Sequence, residues 1–159
     1  RGAFRLSSSY KNFSLMAQFG YSLGGYGYDF QYATLMANGK VGSSSYSVDM
    51  RDRWMEPGDI SAVPRLYSNE NIQVNSTSTR FLQSTDYLSL NNIRIGYTIP
   101  NQYLTKIGLS SVDLWLSGDN VFLLSTRKGY NPTLSLTGTS DRYTYSQISN
   151  YTLGVRVKF

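Results

Sequence analysis

"YTLGVRVKF", Tyr151–Phe159, alternates without a break. Tyr151, Leu153, Val155, Val157 and Phe159 fall on one face of an extended chain, and Thr152, Gly154, Arg156 and Lys158 fall on the other. The period is two, so the segment is a strand and not a helix. Upstream, Phe13, Leu15, Ala17, Phe19, Tyr21 and Leu23 alternate with Ser14, Met16, Gln18, Gly20 and Ser22, and Phe4, Leu6 and Tyr10 alternate with Arg5, Ser7 and Ser9. Only Lys11-Asn12 separates those two runs, which predicts a two-residue hairpin. Residues flanking such a turn pair directly, so Tyr10 and Phe13 bring both apolar sets to one side.

Working outward, the pattern predicts five antiparallel strands at about 2–10, 13–24, 86–99, 111–126 and 143–159. In the third, Ile93, Ile95, Tyr97 and Ile99 share a face while Leu88 and Leu90 keep the opposite phase, which predicts a bulge near Asn91-Asn92. In the fourth, Val112, Leu114, Leu116, Phe122 and Leu124 share a face and Trp115 breaks the pattern by falling on the other. Pro100 ends the third strand, and a short turn with one helical turn is expected in "NQYLTKIG". The links alternate between short and long, the long ones at about 24–85 and 127–142. Successive hairpins reverse direction, so both long links lie at one end of the sheet.

Composition narrows the function. The chain has 159 residues, 14 of them Tyr, with no Cys and no His. Thiol nucleophiles, thiolate metal sites, imidazole bases and every Ser-His-Asp arrangement are thereby excluded, which leaves carboxylates, Lys, Tyr and Ser for any chemistry; for a barrel wall no catalysis, cofactor or metal is expected. A net charge of +5 is spread along the chain with no basic run longer than Arg127-Lys128, which argues against nucleic acid. No apolar run reaches the ~20 residues of a membrane helix. The chain opens at Arg1 inside a strand pattern with no signal peptide, so a piece of a longer polypeptide is expected.

Alternation alone suits a soluble or adhesive β-sandwich as well as a transmembrane barrel, since either has one dry face. Three features favour the barrel. The strands exceed the ~5–6 residues common in soluble sheets and match the ~9–11 that cross a bilayer. Tyr10, Phe13, Tyr97 and Phe159 gather at the short-turn end, as an interfacial girdle would. Short turns at one end and long loops at the other are the barrel arrangement.

Two resemblances sharpen this. Thr152, Gly154, Val157 and Phe159 resemble the terminal signal by which outer-membrane barrels are recognised for assembly. "DYLSLNNIRIGYTIPNQYLTKIGLSSVDLWLSGDNVFLLSTRKGYNP" resembles the last barrel segment of SusC/RagA-type TonB-dependent transporters of the Bacteroidetes, through Tyr87–Pro100, Ile107–Phe122 and Lys128–Pro132. "FSLMAQFGYSLGGYGYDFQYATLM", "DRW" at Asp52–Trp54 and the closing "TLGVRVKF" are also similar to that family. The resemblance implies an all-β fold, the last five or so strands of a barrel of about 22 closed around a plug. It implies a place in the outer membrane, import of an oligosaccharide or peptide, a SusD-like lipoprotein lid, and contact with TonB through a plug and N-terminal region that this stretch lacks.

The first long link holds six of the ten carboxylates, namely Asp29, Asp49, Asp52, Glu56, Asp59 and Glu70. "SVDMRDRWMEPGD" joins four of these to Arg51, Arg53 and Trp54. Asp52, Arg53 and Trp54 are candidates for substrate or partner contact, because Trp and Arg anchor interfaces; a loop held by its own ion pairs reads equally from the same residues, and the spacing fits no EF-hand. "GGYGYDF", Gly24–Phe30, lacks the third Gly and following helix of a dinucleotide loop and reads as a flexible strand exit. In "TRKGYNP", Lys128 and Tyr130 are further binding candidates, set against a structural corner built on Gly129 and Pro132. Arg94, Thr98, Arg156 and Lys158 lie on the polar face.

Overall fold

The computed structural model describes residues 1–36, 45–67, 74, 76–105, 108–140 and 144–159, so Glu70, Ile107 and residue 143 lie outside it. The chain divides into two compact units, one of Arg1–Gly25, Thr85–Asn131 and Tyr145–Phe159, the other of Tyr26–Ser84 and Pro132–Thr144.

The first unit is one antiparallel sheet. Its strands are β1 (Gly2–Tyr10), β2 (Phe13–Ser22), β5 (Tyr87–Thr98), β6 (Ser111–Ser125) and β7 (Asn150–Lys158), in the order β1-β2-β5-β6-β7, so each strand neighbours the strands joined to it by the expected links. The second unit supplies β3 (Tyr26–Tyr28) and β4 (Leu82–Ser84).

The hairpin forms as read. Tyr10 pairs Phe13, and Lys11 takes φ 53°, the left-handed conformation a two-residue turn requires. Asn12 ties the turn to β5: its Nδ2 donates to the Thr98 carbonyl at 2.7 Å, and the Thr98 N–H donates to the Asn12 carbonyl at 2.9 Å. The expected bulge falls at Asn91. Leu90 pairs Phe19 and Asn92 pairs Gln18, leaving Asn91 unmatched, and the Ser89 hydroxyl donates to Asn91 Oδ1 at 2.8 Å. The skipped residue returns Leu88 and Leu90 to the face of Ile93, Ile95 and Tyr97, so the apparent phase error is what keeps one face apolar.

Two boundaries differ from expectation. β2 ends at Ser22, because Gly24 and Gly25 turn left-handed (φ 78° and 94°) and the Gly24 N–H donates to Asp86 Oδ1 at 2.6 Å. β7 starts at Asn150 instead of 143. Its partner β6 carries Asn120 at φ 51°, which breaks the ladder, and the groups that would continue it are taken by Asn120 itself. Asn120 Nδ2 donates to the Ile148 carbonyl, and the Ser149 hydroxyl donates to the Asn120 carbonyl at 2.6 Å. Among its described residues the connection from β5 to β6 holds a short helix, α2 (Asn101–Leu104), with Leu104 buried.

On the sheet's apolar side Ala17, Leu90 and Val112 are buried, but most of the face is open. Ile95, Val155 and Phe159 are 46%, 57% and 92% exposed, and Phe4, Leu6, Phe13, Leu116 and Leu153 are exposed with them. A β-sandwich would cover these residues with a second layer, so the sandwich alternative is set aside.

The second unit has the opposite build. Met36, Met50 and Phe81 form its buried core, flanked by Tyr28, Tyr32, Tyr46, Val63 and Leu66. α1 (Phe30–Leu35) is capped by Asp29, whose carboxylate accepts from the Tyr32 N–H at 3.0 Å and from the Ser140 hydroxyl. Asp29 is only 1% exposed, so this pairing joins the two long links inside the unit. "GGYGYDF" is therefore an ordered strand and helix cap, not a flexible exit.

Candidate functional site

The Asp52–Trp54 segment follows a 3-10 turn, Val48–Asp52, begun by the Ser47 hydroxyl accepting from the Asp49 N–H. Met50 points into the core and fixes the turn. Arg53 bridges Val63, its guanidinium donates to the Met50 carbonyl at 3.3 Å, and the Trp54 N–H donates to the Val63 carbonyl at 2.9 Å. The Ser61 hydroxyl donates to the Asp52 carbonyl. Backbone thus holds this triplet, leaving the Asp52 side chain exposed and Arg53 and Trp54 half-buried. No acidic cage stands beside it: among the described residues no group of three Asp or Glu converges as a metal site would.

Beyond the triplet, "EPGD" makes a tight turn with Gly58 at φ 106°. Both the Met55 and Glu56 N–H groups donate to Asp59 Oδ2, at 2.9 and 3.0 Å. These backbone bonds, that of Glu56 foremost, hold the Asp59 carboxyl below its ordinary value of 3.8. The turn projects Met55 and Ile60 into solvent.

At the second candidate, Gly129 takes φ 85° and the Tyr130 N–H donates to the Arg127 carbonyl at 3.1 Å. The Ser125 hydroxyl closes the corner by donating to the Tyr130 carbonyl at 2.6 Å. Tyr130 is 2% exposed, so its ring serves the corner and does not meet solvent, whereas Lys128 is exposed.

The closing strand places Thr152 opposite Ser117, Gly154 opposite Trp115 and Val157 opposite Val112, with Phe159 beyond the ladder. Here lies the feature that alternation missed. Trp115 sits on the polar face between two glycines, Gly96 on β5 and Gly154 on β7. The indole lies so close over Gly154 that a Cβ there would collide with it. Arg94 and Arg156 stand over the ring at 4.8 and 5.8 Å. The three side chains border a cleft of about 230 Å³ that also reaches Ser14, Thr98 and Asp113. The signal was present in the sequence: the hairpin registers put a glycine opposite Trp115 on both sides.

The comparisons with known proteins agree with this geometry. No family model matches the chain. Two TonB-dependent receptors of Formosa agariphila resemble it. One is 30% identical over 112 residues, which is 67% of this chain and 11% of that receptor. The other is 27% identical over 160 residues, 94% of this chain and 15% of the receptor. Solved structures described as the RagAB peptide transporter and as the RagAB peptide importer in the "closed-closed" state superpose with TM-scores of 0.80 and 0.81 at 21% identity, covering 99% of this chain and 17% of theirs. The chain thus spans under a fifth of the length of each of these proteins.

An exposed apolar face, a polar reverse face and this superposition define the class: the chain is a wall segment of a transmembrane β-barrel of the outer membrane. More narrowly, it is a segment of a TonB-dependent receptor.

Proposed function

We propose that the polypeptide containing this segment imports a nutrient, an oligosaccharide or a peptide, across the outer membrane of a Bacteroidetes-like bacterium. TonB supplies the energy through a region outside these residues, and a SusD-like surface lipoprotein closes over the mouth. The segment contributes wall, the two long external loops and, at Thr152, Gly154, Val157 and Phe159, the assembly signal; it performs no catalysis. The observation that carries this reading is the single-layer sheet whose apolar side is bare. In water such a face would drive aggregation, whereas in hydrocarbon it is satisfied. The open edges of β1 and β7 require strands from the rest of the barrel, because unpaired backbone groups are intolerable in lipid.

Substrate or lid contact is assigned to the second unit and, separately, to the corner at 127–130. Asp52, Arg53 and Trp54 are offered on a rigid backbone, with Lys128 as the exposed cation of the corner and Tyr130 as its buried support. RagAB is described as a peptide transporter, which makes peptides the first class to try. The test uses cells carrying the full-length receptor and fluorescent peptides or oligosaccharides as cargo. Uptake of one class that a protonophore abolishes is expected. Accumulation unaffected by the protonophore, or equal in cells without the receptor, overturns the proposal.

A further inference from the structure

We propose that the open edge of β6 at Phe122–Ser125 binds an extended peptide by strand addition, at the long-link end of the wall. The choice of ligand rests on the reading above that peptides are a cargo class; the edge itself is read from the strand register.

The two flanks of β6 are unequal. On one flank the ladder with β5 runs from the pair Thr98 and Asp113 to the pair Tyr87 and Ser125. On the other flank β7 stops at the pair Asn150 and Asp119. Phe122, Leu123, Leu124 and Ser125 are therefore extended strand with a partner on one side. Among the described residues no backbone group outside β5 bonds to them. Alternate residues of a strand aim their N–H and C=O at opposite flanks, so this stretch offers about two donors and two acceptors to a newcomer.

The opening is built into the fold. Alternation predicts a β7 that starts at 143 and would close this edge, and Asn120 prevents it. Asn120 takes the left-handed φ of 51°, its Nδ2 donates to the Ile148 carbonyl at 3.3 Å, and the Ser149 hydroxyl donates to its carbonyl at 2.6 Å. These bonds pin the approaching chain to the break, and residues 144–149 stay exposed beside it. A bare edge invites another strand, which proteins ordinarily prevent, and in hydrocarbon it would be intolerable. Here it clears the membrane, because the paired stretch Ser111–Asp119 already supplies the ~9–11 residues that cross a bilayer.

The surroundings suit a peptide. Phe122 and Leu124 are exposed on one face of the edge, and Leu123 and Ser125 are half-buried on the other. An added strand thus meets apolar neighbours at every second residue. Lys128 is exposed just past the edge, which favours a peptide running parallel to β6 and ending there in a carboxylate. A backbone ladder accepts many side chains, as mixed peptides require, whereas an oligosaccharide lacks the matching period of donors and acceptors.

The experiment uses the full-length receptor in lipid nanodiscs and a fluorescent octapeptide of alternating Val and Thr with a free C-terminal carboxylate. The same peptide is also made with its odd or its even residues N-methylated. A strand added to β6 bonds through one flank, so one methylated set should lose about tenfold in affinity and the other almost nothing. Asn120→Val should also lower affinity about tenfold, because a β-branched residue rejects the left-handed φ and lets β7 close on the edge. A benzophenone form of the peptide should link to Phe122–Ser125 or to 145–149. No binding, equal loss from both methylated sets, links elsewhere, or unchanged affinity in an inserted N120V receptor overturns the inference. The methylated peptides decide it on the unaltered receptor if N120V is not inserted. Protonophore-sensitive uptake of oligosaccharide with no peptide bound removes the edge site and leaves the import reading. A peptide bound through one flank yet never accumulated leaves the site and removes peptide import.

Discussion

The two units of this chain use the same apolar side chains in opposite ways. In the five-stranded sheet, Phe4, Leu6, Leu116, Leu153 and Val155 point outward and stay exposed; in the other unit, Met36, Met50 and Phe81 point inward and disappear. The hydrophobic effect has no preferred direction, only a preferred surrounding. Where the surrounding is lipid, an apolar exterior is satisfied and order comes from the hydrogen-bond ladder, which is why the sheet tolerates the bulge at Asn91 but no open edge. Where it is water, order comes from a buried cluster and from capped turns such as Asp29 with Tyr32 and Ser140.

The strongest way to break this contrast is Phe81→Ala. Truncating a fully buried Phe costs about 3–5 kcal/mol, and the whole of it should fall on the second unit. In the full-length receptor, limited proteolysis should cut within Tyr26–Ser84 while the folded barrel keeps its heat-sensitive gel mobility. Loss of that mobility would show that the sheet depends on the same core.

Next comes a charge on the outward face. Leu116 lies mid-strand between Ile95 and Leu153, and Leu116→Arg should cost about 2–4 kcal/mol near the bilayer centre. Ser7→Arg, on the opposite face, should cost little. Folded fractions after refolding into vesicles measure both, and equal tolerance would mean that neither face meets lipid.

These contrasts also explain what was legible in the residues alone. The sheet could be read because a period of two needs only a few residues to declare itself, and even the misplaced Leu88 and Leu90 pointed to the bulge. The second unit could not. Met36, Met50 and Phe81 are separated by irregular loops and share no period, so nothing local marks them as neighbours. Trp115 looks like a flaw because alternation scores one strand at a time, whereas its meaning lies in Gly154 on the strand beside it. The start of β7 was missed for a related reason: Asn120 on the partner strand ends the pairing.

A smaller effect separates the two roles proposed for Gly154. If the glycine seats the Trp115 indole, Gly154→Ala is an overpacking change costing about 1–3 kcal/mol, and Trp115→Ala in the same chain should recover most of it. If it serves only the assembly signal, the double variant should insert as poorly as Gly154→Ala alone. Insertion yield with purified assembly machinery distinguishes the two.

The smallest expected effect sits at the tip of the second unit. Asp59 is exposed, and two backbone N–H groups hold its carboxyl below the ordinary 3.8. A carboxyl depressed on folding contributes stability that is full above its unfolded value and is lost as pH falls through the folded one. Amide protection at Met55 and Glu56 should therefore be constant above about pH 5 and decline as the medium is taken below 3.8, and Asp59→Asn should lower it at neutral pH and remove the decline. The change should stay local, because the turn is braced by Asp59 alone while Trp54 and Arg53 are anchored separately on Val63. A loss of protection that spread to Trp54 at the same pH would show that the tip and the Asp52–Trp54 triplet open as one piece.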